Sequence, residues 1–430
     1  MINIGIIGSG NVGTGVIDIL QKNGDYFFQK TGKRINIKKV AVKNIDKKRS
    51  YELEAINFTT DPMEIINDPE IQVVIEVIGG ENPAYEYICQ ALKNKKHVVT
   101  ANKEVVAKHK TTFFKLANEN GVRIRFEASV GGGIPLIHAL KIGYAANKIQ
   151  SVHGILNGTT NFILTKIEEE QRDFNDVLQD AQRLGFAEAD PTMDISGLDV
   201  AYKLNILAAV AFNIDVNLSD IYYEGIENIS LTDITYAKEF NYKIKLVAIG
   251  TRSAEDKLSF KVHPLMIPST HPLAVVRNEF NALFINGDAV GESMLYGKGA
   301  GALPTGSAVI SDMVDLISCV EQNLAEEKVL LNSSQNGLIP FEETSSEYYL
   351  RLLVEDSYGV LEKIAGVLRK NEISISKLIQ KNQSNSEAEL VIVTHTAKEK
   401  NMAAAIKEFD SLQVIKDLYS LIRVAGEAPQ

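Results

Sequence analysis

The chain reads as an α/β protein in three parts: an N-terminal doubly wound parallel sheet, an α+β middle region and a C-terminal ferredoxin-like βαββαβ module. Three observations predict this. The apolar run 2–7 ends in Gly8-Ser9-Gly10-Asn11-Val12-Gly13, and helical spacing follows from Val12 to Leu20. Short apolar runs at 35–42, 71–77, 97–100 and 122–126 are then joined by helical segments at 85–93 and 103–118, as parallel strands covered on both faces would be. Beyond Leu330 a polar stretch gives way to strand-like runs at 348–354, 373–380, 389–395 and 414–422, interleaved with helical ones at 359–370 and 400–410. For 430 residues, about three domains are expected. They are 1–130 with a return helix near 301–325, then 131–300, then 348–425 behind a linker at 331–347.

A Gly-x-Gly-x-x-Gly turn between strand and helix is the dinucleotide fingerprint in its required context. Gly8 permits the tight turn, Gly10 lets the backbone approach a pyrophosphate, and Gly13 lets helix and strand pack closely. The helix opening at Asn11 and Val12 supplies oriented N–H groups for the phosphate charge. A Rossmann-like NAD(P) domain is therefore expected. The end of the second strand selects the cofactor, since an acid there accepts from a ribose 2′-OH and a cation suits a 2′-phosphate. Lys43 stands at that point with Lys47, Lys48 and Arg49 following, which favours NADP; Asp46 close by keeps NAD open. Ile78-Gly79 and Thr100-Ala101-Asn102-Lys103 each follow a strand and so lie at carboxyl ends, where the crevice of an open α/β sheet forms. Lys103 at that edge is a candidate to reach substrate or nicotinamide.

The middle region opens with the glycine-rich turn 126–135. Gly131-Gly132-Gly133 frees the backbone to aim carbonyls inward, as an oxygen-ligated monovalent cation requires, and serves a plain interdomain crossing equally well. Residues 151–162 read as a strand and a polar helix cap, with Thr159, Thr160 and Asn161 satisfying free N–H groups or lining a pocket. The segment 184–203 gathers Glu188, Asp190, Asp194, Asp199 and Lys203. Asp199 and Lys203, four apart, share one face of a helix that continues through the apolar run 204–211. Ionised groups in a buried helix are costly unless they are paired or form a site.

Composition excludes several classes. The net charge is −10 with no basic stripe, which argues against nucleic acid. The chain opens on a strand-like run rather than a signal peptide, and no apolar run approaches the ~20 residues of a membrane span. Cys89 and Cys319 are too few for a disulfide framework, so a cytoplasmic protein with no membrane partner is expected.

Taken together, these motifs resemble the single-function homoserine dehydrogenases that carry a C-terminal ACT domain. The resemblance rests on Gly8–Gly13, Val99–Lys103, Glu127–Gly133, Leu156–Asn161, Gly185–Lys203 and the stretch 297–305. It implies an NAD(P)-dependent oxidoreductase interconverting L-homoserine and L-aspartate 4-semialdehyde in threonine, methionine and isoleucine biosynthesis. It implies Lys203 as general acid/base and Lys103 as a second lysine near the reacting oxygen. Glu188, Asp199 and Asp194 would bind the substrate, with Gly185 giving a backbone contact. Glu127 with the carbonyls of Val130, Gly132 and Ile134 would form a sodium site. Gly301 would return to the cofactor. The tail resembles an ACT domain, with 355–361 at the effector turn and 371–375 facing it, which implies an amino-acid effector such as threonine and a homodimer or homotetramer. Its turn carries Tyr358 where such modules usually have Pro.

The physical chemistry agrees with these roles. Reducing an aldehyde develops an alkoxide, which needs a nearby cation and a proton. Two rival readings differ in their requirements. A phosphorylating semialdehyde dehydrogenase on the same fold needs a cysteine nucleophile at a strand-to-helix turn, whereas Cys89 and Cys319 fall in helical segments. An amino-acid sensor with a silent dehydrogenase-like half would not need Lys103, Glu188, Asp199 and Lys203 together.

Overall fold

Six parallel strands form the first sheet, in the order Phe58–Thr59, Ile35–Ala41, Ile2–Ile7, Val73–Glu76, His97–Thr100, Ile124–Arg125. Numbered along the chain this is 3-2-1-4-5-6, the doubly wound order with its switch point between the first and fourth strands. The computed structural model describes residues 1–46, 56–321, 331–333, 337–382 and 386–426. The cations Lys47, Lys48 and Arg49 therefore lie outside the described residues. The chain divides into two compact units, Met1–Ile149 with Tyr202–Leu218 and Phe280–Ser334, and Gln150–Ala201 with Ser219–Glu279 and Gln335–Gln430.

In the first unit, β-branched residues fill the central strands because both faces are covered: Ile4, Ile6, Val73, Ile75 and Val99 are buried. Helices Asn11–Thr31 and Ala302–Glu321 join the same core through Val16, Ile17, Val309, Met313 and Leu316. The first helix runs well past the expected Leu20. Phe27 still buries on that face, and Gly32 ends the helix in a left-handed cap whose N–H bonds Phe28 O.

His97 reports on this core. Its Nδ1 accepts from Arg123 N at 3.1 Å, and burial, with Arg123 and Arg125 adding repulsion, lowers its pKa to about 4. An unfolded histidine protonates near 6.5. The stability from keeping it neutral is thus complete above pH ~6.5 and is lost as pH falls toward about 4. Between pH 7 and 5 the wild type is expected to lose about 2 kcal/mol more than His97→Gln, read by urea denaturation at each pH.

The second unit is a mixed sheet in the order Ile149–Ile155, Tyr242–Arg252, Leu258–Pro268, Ile415–Val424, Ser345–Glu355, Glu387–Thr394, Ile375–Asn382. Tyr242–Arg252 and Leu258–Pro268 pair antiparallel along their full length. The last four strands, with helices Val360–Lys370 and Glu399–Phe409, give the βαββαβ order in a 4-1-3-2 sheet around Tyr348, Leu350, Leu352, Ile364, Leu390 and Phe409. The stretch expected as a linker is partly tied down: Leu258 N donates to Gly337 O and Ile339 N to Leu258 O, both at 2.7 Å. Among the described residues no helix is long and apolar enough to cross a membrane.

Candidate active site

The glycine turn opens on a cavity of about 490 Å³ at the carboxyl edge of the parallel sheet. Gly8, Gly10, Lys43, Ile78 and Gly79 line it. Asn44 and Thr60 line it as well from loops that carry no motif, and Tyr87 from helix Ala84–Lys93. A Cβ at Gly10 would meet nothing within 4 Å, leaving open space on the side a pyrophosphate approaches. The following helix starts at Asn11 and Val12 with no side-chain cap and no acid in its first turn, which suits an anion. At Gly13 a Cβ would lie 2.3 Å from Gly8 O. Gly13→Val is therefore expected to weaken NADPH binding more than about tenfold, or about 1.4 kcal/mol, read by fluorescence titration.

A carboxylate that the sequence reading passed over organises the far wall. Glu76 is fully buried, accepts from Thr100 Oγ1 at 2.6 Å and from Ile78 N at 2.8 Å, and is pushed upward in pKa by burial. It fixes the Ile78-Gly79 turn and holds Thr100 in place. An acid inside the mostly apolar run 71–77 was the available signal. Beside it, Asn102 donates to Gly80 O at 2.6 Å and accepts from Val105 N at 3.2 Å, capping the helix Lys103–Asn120. Lys103 is the first residue of that helix, at the sheet edge where the sequence places it.

Helix Leu198–Phe212 carries Asp199 and Lys203 one turn apart, among buried Val200, Ala201, Leu204, Ile206 and Leu207. Asp199 is 1% exposed and Lys203 half-buried. Lys110, itself 3% exposed, joins this helix to Lys103–Asn120: its amine donates to Asn205 Oδ1 at 2.7 Å and pairs with Asp215 at 2.9 Å. Asn205 in turn donates to Val216 O at 2.6 Å. The two helices that bear Lys103 and Lys203 are thus clamped together by a buried charge that the sequence reading did not anticipate.

In the second unit, Asn157 gathers the acids. Its Oδ1 caps helix Gly158–Glu170 by accepting from Thr160 N at 2.8 Å. Its Nδ2 donates to Asp194 Oδ1 at 2.7 Å and to Asp199 Oδ2 at 2.9 Å. Thr159 Oγ1 reaches Phe186 O at 2.5 Å, which ties that cap to the turn at Gly185, whose φ is +79°. Glu188 is exposed on that turn. Asn157, rather than the expected Thr159, Thr160 and Asn161, thus caps the helix, those three residues lying within its first turn, and Asn157 with Thr159 shapes the acidic loop.

Glu127 is 3% exposed, and its carboxylate accepts from Ile137 N at 2.8 Å and His138 N at 2.7 Å. Burial raises its pKa, and burial also pushes neighbouring Asp312, which accepts from Glu127 N at 2.7 Å, up to about 8. Val130, Gly132 and Ile134 follow in a turn where Gly131 and Gly132 have φ of +75° and +55°. Gly301, with φ of +117°, precedes the return helix. Cys89 and Cys319 are buried free thiols inside helices, as the sequence suggested, and burial raises the pKa of Cys89. Neither is placed to act as a nucleophile.

A doubly wound sheet with this glycine cavity defines a dinucleotide-dependent oxidoreductase. The family model described as the homoserine dehydrogenase NAD binding domain matches residues 8–127, and that described as homoserine dehydrogenase matches 135–314. A Bacillus subtilis homoserine dehydrogenase is 40% identical over 99% of this chain and 98% of its own, and one from Helicobacter pylori is 42% identical over 98% and 99%. A solved Thiobacillus denitrificans homoserine dehydrogenase superposes with a TM-score of 0.92 at 40% identity, covering 99% of this chain and 98% of that one. A hyperthermophilic archaeal homoserine dehydrogenase solved with NADPH has a TM-score of 0.61 at 26% identity, covering 73% and 97%. The chain belongs to the homoserine dehydrogenase family.

Proposed function

We propose that the chain interconverts L-homoserine and L-aspartate 4-semialdehyde in threonine, methionine and isoleucine biosynthesis, with NADP preferred over NAD. The observation that carries the residue roles is the buried helix placing Asp199 and Lys203 one turn apart. A bound nicotinamide supplies the hydride chemistry. In the oxidative direction the Lys203 amine takes the proton from the substrate hydroxyl as its carbon gives up hydride; in reduction it returns that proton to the alkoxide. Lys103, leading its helix at the sheet edge, offers a second positive charge to the same oxygen. Asp199, held with Asp194 by Asn157, and the exposed Glu188 bind the substrate ammonium, with a backbone contact at Gly185. The preference for NADP rests on Lys43 lining the cofactor cavity.

The Glu127 turn suits a sodium ion. It sets a buried carboxylate beside Asp312 and adds the carbonyls of Val130, Gly132 and Ile134, so a bound cation would favour the ionised carboxylates that burial disfavours. No group of three or more acidic, histidine or cysteine ligands exists among the described residues, so carbonyl oxygens would complete the shell. The C-terminal module is read as an ACT domain that takes an amino acid such as threonine in a homodimer or homotetramer, with the fully exposed Tyr358 at the effector turn. Reduction of NADP⁺ by L-homoserine, with and without threonine, tests this. Turnover with NADP⁺ that threonine lowers is expected. Absence of homoserine-dependent turnover would leave the chain a sensor.

A further inference from the structure

We infer that the second unit holds a separate site for a small carboxylate carrying a hydrogen-bond donor on the neighbouring carbon, seated on Lys261 and His263. The site is a cavity of about 540 Å³. Its floor is one face of three adjacent strands, where Lys261 stands opposite Ile249 and Ile249 opposite His153. Alternation along the strand puts Ser259, Lys261 and His263 on that same face. Residues 343–347, Thr396 and Val424, Ala425 and Gly426 form the walls, so the C-terminal module closes over a floor from the middle of the chain.

The side chains on the floor are buried and incompletely satisfied. Lys261 is 8% exposed, and its amine meets Ser346 Oγ at 3.3 Å. It forms no ion pair among the described residues, because the neighbouring acids are committed elsewhere. Glu399 holds Arg423 at 2.9 and 3.1 Å, and Glu343 holds Lys398 at 3.0 Å and Lys400 at 2.7 Å. Glu347, half-buried, also lines the cavity. His263 is 0% exposed, and its Nδ1 lies 2.9 Å from Pro264 O, so Nδ1 carries the proton and donates. That leaves Nε2 as an acceptor, and Nε2 has no hydrogen-bond partner. Burial lowers Lys261 to about 8 and His153 to about 4, and holds His263 well below its usual value. At neutral pH the floor therefore carries one positive charge, on Lys261, and a bare imidazole acceptor two residues along the strand.

Those two groups ask for different things from one ligand. The ammonium takes a carboxylate oxygen. The Nε2 atom takes an O–H or N–H. Their Cα atoms are about 7 Å apart along the strand, within reach of a ligand of about three carbons. A single cation, with Glu347 also in the lining, selects a ligand with one carboxylate over a dianion such as phosphate. A 2-hydroxy acid and a 2-amino acid both satisfy this chemistry.

Thermal-shift and calorimetric titrations of the full-length chain with L-lactate, L-alanine, propionate, L-lactamide and inorganic phosphate test the site. Lactate or alanine is expected to raise the melting temperature and to bind at least fivefold more tightly than propionate, and which of the two does so identifies the donor. Lactamide and phosphate are expected to give no shift. Lys261→Met is expected to fold, to abolish the shift and to leave homoserine-dependent turnover unchanged. His263→Leu is expected to erase the preference over propionate, which reads out the site even where Lys261→Met fails to fold. No shift with either acid, equal binding of propionate by the wild type, or retained binding in folded Lys261→Met overturns the inference.

Discussion

Lys203→Ala is expected to lower kcat by about 10³-fold or more, about 4 kcal/mol, within the range that a positioned acid or base contributes. The NADPH dissociation constant should stay within about twofold of wild type, because Lys203 does not line the cofactor cavity. In the role proposed for it, a lysine on a buried helix would move a proton without solvent reorganisation, and bulk water would be a poor substitute at the same point. Lys203→Arg should fare little better, since a guanidinium keeps its proton across the accessible pH range. Steady-state kinetics of homoserine oxidation and NADPH fluorescence titration, run side by side, separate the two effects. Loss of cofactor binding in Lys203→Ala would make the lysine a structural residue of its helix and remove the assignment of general acid/base.

Arg351→Ala is expected to cost about 3–5 kcal/mol, a large effect for a single substitution. Arg351 Nε donates to Asp233 Oδ1 at 2.8 Å, Nη1 to Glu389 Oε2 at 3.0 Å and Nη2 to Ser230 Oγ at 3.0 Å. Asp233 also accepts from Ser420 Oγ at 2.7 Å and closes a capping box with Ser230 at the start of helix Leu231–Glu239. Asp233 and Glu389 are both buried, so truncation leaves two carboxylates with no cation in a site that water does not reach. The melting temperature should fall by roughly 6–20 °C for a unit of this size. Replacing Arg351, Asp233 and Glu389 together by leucine should restore much of the loss, because the cost lies in the unpaired charge rather than in the missing bond. A triple variant no more stable than Arg351→Ala would contradict that account. This network joins helix Leu231–Glu239 to three strands of the C-terminal module, so the module is held by charge as well as by its apolar core.

Much of the fold was legible because it rests on local rules. Apolar runs bounded by glycines gave the parallel strands, and the glycine fingerprint set strand, turn and helix in one stroke. The tail followed for the same reason, since each strand and helix there keeps its own hydrophobic period. Boundaries drifted where local signals end. The first helix continues through a polar stretch to Thr31 because Phe27 finds a core that no window of sequence displays. Glu76, Lys110 and Asn157 were missed for a related reason, the cap having been placed on Thr159, Thr160 and Asn161. Each acts on a partner twenty-four or more positions away in the chain: Thr100, Asn205 and Asp199 respectively.

The sequence alone determined the order of elements, the cofactor loop and the spacing of Asp199 and Lys203, all properties of residues within a turn or two of each other. Tertiary structure decided which buried charges meet: Lys110 with Asn205 and Asp215, Arg351 with Asp233 and Glu389, and Lys261 with no counter-ion among the described residues. Burial multiplies the energetic weight of a charge, and burial is a property of the assembled core rather than of any stretch of chain.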